Sequence, residues 1–268
     1  MARAILDLLP HEPLIYVGDT ARFPYGPRPQ EEIRRFAVEI AASLVARDVK
    51  LLVVACNSVE VSAIDDVAVA AGVPVVGVIK PGARAAVRAT RNGEVGLIGT
   101  QATVSSGAYD RAVRSADPEV RLSSVACPLF VDHVERGDTS SPQLRAAAVR
   151  YLEPLRERGV DTLILGCTHY PMLTGLLQLE IGPDVVLVSS AEETAKDVYG
   201  TLLVAGIERE VPDASSAAPP DHEFLCTGDP TQFQAVAGRF LAPEIADVRA
   251  AHLEPAAGEA WTGSARWN

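Results

Sequence analysis

The sequence lacks any apolar run of bilayer length. Its longest stretches, such as Leu51 to Ala55 and Leu163 to Leu165, are strand-sized, whereas a membrane helix needs roughly 20 apolar residues, so no membrane span is expected. It also lacks a CxxC pair and any Cys/His cluster, which argues against a zinc site. Positive charge is in deficit: 24 Lys and Arg stand against 35 Asp and Glu, a formal net charge of -11. General affinity for nucleic acid or an anionic membrane surface is therefore not expected. The segment from Met1 to Pro10 places Asp7 inside its apolar stretch and has no small-residue cleavage site, unlike a secretory signal. The expected location is the cytoplasm, where Cys56, Cys127, Cys167 and Cys226 remain free thiols.

What is present is an ordinary globular composition: 268 residues, 48% hydrophobic and 22% charged, enough for one large domain or two small ones. Short apolar runs at Leu14–Val17, Leu51–Ala55, Val73–Val78, Val95–Ile98, Leu122–Ala126, Leu163–Leu165 and Val185–Val188 read as strands. Amphipathic stretches such as Glu31–Arg47 and Gln143–Glu157 read as helices between them. That alternation predicts βαβ units and a doubly wound α/β architecture with parallel strands. Two segments share one design, Lys50-Leu-Leu-Val-Val-Ala-Cys56-Asn-Ser and Asp161-Thr-Leu-Ile-Leu-Gly-Cys167-Thr-His. Each is an apolar run, a small residue, a cysteine and two polar residues opening a helix. Two similar domains follow, each with its own sheet: 1–79 completed by 189–268, and 80–188. The seams fall near Lys80-Pro81-Gly82 and Ser189-Ser190. The tract from Val211 to Pro220 reads as a surface loop and the tail after Leu253 as weakly ordered.

Ligands of open α/β sheets bind beyond the carboxyl ends of strands, where Cys56 and Cys167 are placed. A helix start immediately after each, with Ser58 or Thr168 as cap and Pro171 in the first turn, would favour thiolate. A single free cysteine is as readily a small buried hydrophobe, and Cys127 and Cys226 are assigned to the core on that ground. The matched pair is different. Thiols approaching one molecule from opposite sides are what inversion of a stereocentre requires, one base removing a proton and an acid on the other face returning one. A hydrolase would leave the second thiol unexplained.

Further motifs join this pair. Ala55-Cys-Asn-Ser58, Pro24-Tyr-Gly26 after Gly18-Asp-Thr20, Ile98-Gly-Thr-Gln-Ala-Thr103, Cys127-Pro-Leu-Phe-Val131 with Glu135, and Gly166-Cys-Thr-His-Tyr-Pro171 together resemble glutamate racemases, especially actinobacterial ones, up to about Leu241. The resemblance implies that Cys56 and Cys167 are the catalytic bases, with His169 assisting Cys167 and Glu135 nearby. It implies that Pro24, Tyr25, Gly26, Asn57, Ser58, Thr100, Thr103 and Thr168 line the pocket and hold glutamate. It also implies two domains with the active site between them, a homodimer, no pyridoxal phosphate, metal or nucleotide, and D-glutamate for peptidoglycan as the product. Plainer readings stand beside these: Tyr25 as a turn aromatic, Thr100 and Thr103 as helix caps, His169 as a surface histidine, Glu135 as a solvated carboxylate.

The resemblance also implies a departure. The family opens with a strand ending in Asp-Ser-Gly, and this chain starts inside the following helix at Met1-Ala-Arg-Ala-Ile5. The first strand of the N-terminal domain is expected to be missing, with the aspartate that assists the thiol matching Cys56, so activity is expected to be reduced. Glu60 stands where the family has small residues; pointing inward it would raise the Cys56 pKa, and the helix is expected to turn it away. The alternatives are another racemase of the superfamily, acting on aspartate, or a catalytically silent binding protein.

Overall fold

The computed structural model describes residues 1–210, 220–241, 245, 247–251 and 253. Most of the predicted loop at 211–220 and all of the tail after Leu253 lie outside the described residues.

The chain opens in helix α1 (Ala2–Leu8) and passes through β1 (Ile15–Gly18), α2 (Gln30–Val45), β2 (Leu52–Val53), α3 (Asn57–Ala71) and β3 (Val75–Val76). It continues through α4 (Ile79–Ala89), β4 (Glu94–Gly99), α5 (Gln101–Ser105), α6 (Ala108–Ala116), β5 (Arg121–Ala126), α7 (Leu129–Glu135), α8 (Pro142–Glu157) and β6 (Thr162–Gly166). A 3-10 turn (Tyr170–Leu173), α9 (Thr174–Ile181), β7 (Val186–Val188), α10 (Ala191–Ala205), β8 (Glu223–Cys226), α11 (Pro230–Leu241) and β9 (Val248–Ala250) complete it.

Every strand pairing among the described residues is parallel, as the alternating pattern predicted. The largest sheet has the order β5-β4-β6-β7. Its central strands are apolar along their length rather than alternating, because helices cover both faces; all five residues of β6 are buried. The chain runs from β4 outward to β5 and then returns across β4 to β6, so the order reverses between β4 and β6. That switch point opens a crevice at the strand ends. Gly99 and Gly166 are register partners there, so the residues that follow them, Thr100 and Cys167, emerge side by side.

The remaining strands form two pieces, β1-β8-β9 and β2-β3, where a single sheet had been expected. No strand precedes Ile15 among the described residues. The ladder between β2 and β3 has two residue pairs and that between β1 and β8 has four. Helices supply the cohesion: Ile5 of α1, Val76 of β3 and Ala195, Val198 and Leu202 of α10 share one apolar cluster, into which Leu51 and Val53 also pack. A second cluster joins Ile33, Ala37 and Ala41 of α2 to Val59, Ala63 and Val67 of α3.

Local signals explain the helices that matter here. In α2, Glu31 and Glu32 lie in the first turn, where the helix dipole favours them, and Ile33, Phe36, Ala37 and Ala41 form the buried stripe. Helix α8 has Ser141 as N-cap, its hydroxyl accepting from Leu144 N–H at 3.1 Å, and Pro142 at its first position. Helix α3 ends at Gly72, left-handed at φ 63°.

Lys80-Pro81-Gly82, where a seam was expected, forms the first turn of α4, a position where proline loses no helical hydrogen bond. One local expectation needs correction. After Cys167 no α-helix opens at once: the 3-10 turn intervenes, with Pro171 in it, and α9 starts at Thr174.

Candidate active site

Cys56 follows the short strand β2 and is itself the N-cap of α3; neither Ser58 nor Thr168 acts as the predicted cap. Cys167 follows Gly166, which must be glycine for β6 to lie this close to β4: a Cβ there would stand 2.6 Å from Leu97 Cδ1 and 2.9 Å from the Ile98 carbonyl oxygen. Both thiols open onto one cleft of about 790 Å3. The wall includes Pro24, Tyr25, Gly26, Ser58, Thr100, Glu135, Thr168 and His169. A separate concavity of about 840 Å3, lined by Glu60, Lys80, Arg84, Arg88 and Arg111 among others, contains neither thiol.

Asn57 and Thr103 stand behind the wall rather than in it. Asn57 is buried and its Oδ1 accepts from the Tyr109 hydroxyl at 2.8 Å. Thr103 is buried with its hydroxyl 3.0 Å from that of Thr100, which in turn lies 2.9 Å from Ser58 Oγ. Thr100 is thus both the N-cap of α5, accepting from Thr103 N–H at 3.2 Å, and part of the cleft. The cap reading and the pocket reading coexist because one hydroxyl accepts more than one hydrogen bond.

The two thiols differ in their surroundings. His169 Nδ1 lies 3.7 Å from Cys167 Sγ, and His169 Nε2 lies 2.5 Å from Glu135 Oε1 at the end of α7. Burial works to lower the histidine pKa, but hydrogen bonds to Cys167 and Glu135 outweigh it and raise it from 6.5 to about 10. His169 is therefore an imidazolium at neutral pH, able to give a proton towards Cys167 and take it back. Burial pushes the Cys56 thiol up to about 11, against the backbone N–H groups of Val59 and Ser58 and with Cys167 adding to the rise. The groups that shift Cys56 most, burial, Cys167 and the Val59 and Ser58 groups, include no carboxylate, whereas Glu135 is bonded directly to His169 beside Cys167.

Glu60 does turn away from Cys56, though not into solvent. Its Oε2 accepts from the N–H groups of Val78 and Ile79, at 2.5 and 3.0 Å, and so caps α4. Burial raises its pKa. Gly77 leaves room for this carboxylate, since a Cβ would stand 2.4 Å from it.

Sequence reasoning missed several groups of the cleft. Asp19 receives the Tyr25 hydroxyl, Arg22 Nε at 2.8 Å and Thr227 Oγ1 at 2.7 Å, which fixes the phenol at the rim and raises its pKa through burial first and the carboxylate second. Tyr16 of β1 stacks on Phe233 of α11 at 5.7 Å between ring centroids, and both face the cleft. The Gly18-Asp-Thr20 string was the signal for Asp19; nothing in the local sequence marked Phe233.

An α/β crevice at a strand-order switch, walled in part by hydroxyls and reached by one thiol from each of two sheets, sets the chain among α/β enzymes with a paired-cysteine cleft. Comparison with known proteins gives the particular family. Residues 1–198 match the family described as Asp/Glu/Hydantoin racemase, and the chain belongs to that family. Curated glutamate racemases from Beutenbergia cavernae and Acidothermus cellulolyticus are 52% and 54% identical over 255 and 248 residues, covering 92% of this chain and 87% and 92% of theirs. Among solved structures, glutamate racemase isoform RacE1 from Bacillus anthracis superposes with a TM-score of 0.86 at 38% identity. The Francisella tularensis glutamate racemase in complex with D-glutamate superposes at 0.84 and 31%. Each comparison covers 94% of this chain and 92% of the other.

Proposed function

We propose that the protein interconverts L- and D-glutamate by two-base proton transfer through Cys56 and Cys167. The observation that carries this is the opening of both thiols onto one cleft from separate sheets. One sulfur, as thiolate, takes the α-proton and becomes a thiol. The other, as thiol, gives its proton to the opposite face of the carbanion and becomes the thiolate, so the pair returns to its starting composition with roles exchanged. His169, held by Glu135, serves Cys167, while Cys56 relies on the N–H groups of the first turn of α3. The hydroxyls of Ser58, Thr100 and Thr168 and the rim formed by Pro24, Tyr25 and Gly26 hold the amino and carboxylate groups; Asn57 and Thr103 support that wall from behind.

The relatives named glutamate racemase favour glutamate over aspartate as substrate, and an enzyme over a silent binding protein. D-glutamate as a precursor for peptidoglycan synthesis supports a cytoplasmic reaction. The two halves of the site belong to two domains, 1–79 with 189–268 and 80–188, and the resemblance to glutamate racemases supports a homodimer.

The test is α-proton exchange in deuterated water with each enantiomer. The wild-type protein should place deuterium in the inverted product from either side. Cys56→Ala and Cys167→Ala should each lose inversion by about 10²–10⁴-fold, the range for a positioned acid or base. Each should retain exchange with one enantiomer only, opposite in the two variants. A folded wild-type protein that exchanges neither enantiomer would overturn the assignment.

A further inference from the structure

Tyr109 takes no part in the proposed chemistry, yet it hydrogen-bonds to the residue after Cys56 and its ring faces the residue before Cys167. It stands in the first turn of α6, is 1% exposed, and its ring belongs to the apolar cluster of Val95 and Leu97 of β4, Ile164 of β6 and Ala83 of α4. Only the hydroxyl leaves that cluster. It donates to Oδ1 of Asn57 at 2.8 Å, the residue immediately after Cys56. On the opposite side, Cε2 of the ring stands 3.4 Å from the place a Cβ on Gly166 would occupy, the residue immediately before Cys167. A Cβ on Gly82 would lie 3.3 Å from the hydroxyl, so α4 closes the third side.

We infer that Tyr109 is the positioning residue that sets the separation of the two catalytic thiols. Its rigid ring rests against the strand end that presents Cys167, and its hydroxyl holds the helix start that presents Cys56. The inference rests on the reading of those thiols as an acid and base pair. A ring has no internal torsion along its long axis, so the span from Gly166 to Asn57 is set by the rigid ring, with non-bonded packing at the Gly166 end and one hydrogen bond at the Asn57 end. Burial keeps the phenol protonated and therefore a donor, which also decides which amide atom of Asn57 faces it. Without the hydroxyl, the first turn of α3 keeps its polar tie to the β4 strand end, the contact between Ser58 and Thr100 at 2.9 Å, but loses its tie to α6. Rates of proton transfer fall steeply with small misplacements, so loosened spacing shows first in the step that needs both thiols.

The test uses Tyr109→Phe, which removes the hydroxyl alone, with two readouts. The first needs no substrate: bis-electrophilic thiol reagents of graded span are applied, and the adduct joining Cys56 to Cys167 is quantified by peptide mass spectrometry. The wild-type protein should favour one span, and the variant should spread the adduct over neighbouring spans. The second is the ratio of deuterium in unreacted glutamate to deuterium in the inverted product, expected to rise severalfold because a carbanion missed by the second thiol persists until the S–H of the first exchanges with deuterated water, and then takes that deuterium back on its own face. This ratio is independent of the folded fraction, so a residue important only for packing would lower the melting temperature and leave it unchanged. An unchanged span preference and an unchanged ratio overturn the inference, as does the absence of any Cys56–Cys167 adduct in the wild-type protein. Should Tyr109→Phe fail to fold, Gly82→Ala crowds the same hydroxyl at 3.3 Å, along with Ser190 Cβ at 3.2 Å, with the ring retained, and the same two outcomes decide. A wild-type protein that does not exchange glutamate overturns the racemase reading, while the cross-linking span still decides the role of Tyr109.

Discussion

At the scale of the residue, the site is built from groups whose properties are set by their neighbours. His169 is the clearest case. Its folded pKa of about 10 lies above the ordinary 6.5, so its bonds to Glu135 and Cys167 contribute stability that is fully present below pH 6.5 and is lost as pH rises towards 10. The urea midpoint of the wild-type protein should therefore fall across that window more steeply than that of His169→Asn, read by circular dichroism. Equal slopes would show that the imidazolium is not held by those partners. The thiols and His169 were legible in the sequence because each lies within three residues of a strand end in a matched motif. Tyr109 was not legible, since its partner Asn57 is 52 positions away, and Asp19 was named without its role because Thr227 is 208 positions away. Contacts of that separation exist only once the chain has folded.

At the scale of the element, the strands that could be read were those with continuous apolar runs. β4, β5 and β6 each extend one or two residues beyond the predicted limits, because ladder hydrogen bonds continue past the last apolar side chain. β8 and β9 were not predicted: Glu223–Cys226 and Val248–Ala250 are too short for a period to show, and each is a strand only because a parallel neighbour accepts it. The stretch after Cys167 read as a helix start from its threonine and proline, but Pro171 there heads a 3-10 turn instead. Close approach of β4 and β6 depends on one residue at the end of β6. Gly166→Ala would drive a methyl into Leu97 and the Ile98 carbonyl. It should cost about 1–3 kcal/mol in chemical denaturation, the usual range for overpacking a filled core, and should reduce inversion more than it reduces substrate binding because Cys167 is the next residue. A variant as stable and as active as the wild type would show that the strand ends are compliant.

At the scale of the whole molecule, the two parts that carry the thiols are joined by apolar packing and buried polar contacts rather than by surface charge. Arg84 with Asp197 and Arg88 with Glu193 do bridge α4 and α10, but all four arginine and carboxylate partners keep some solvent exposure, and pairs of this kind contribute about 0–1 kcal/mol. The parts are unequal in another respect. Cys167 hangs from a four-stranded sheet in which β6 is paired on both sides, by five residues to β4 and by three to β7. Cys56 hangs from β2, whose described ladder is two residues long. Backbone amides are released to solvent by local opening where few bonds must break together, and only by global unfolding in a doubly paired core strand. Followed by hydrogen exchange, the amides of Leu163, Ile164 and Leu165 should keep pace with the slowest in the protein, and those of Leu52 and Val54 should be replaced much sooner. The two sulfurs would then belong to two different clocks, one attached to the most durable strand of the molecule and the other to a segment that opens and recloses many times in the lifetime of the fold.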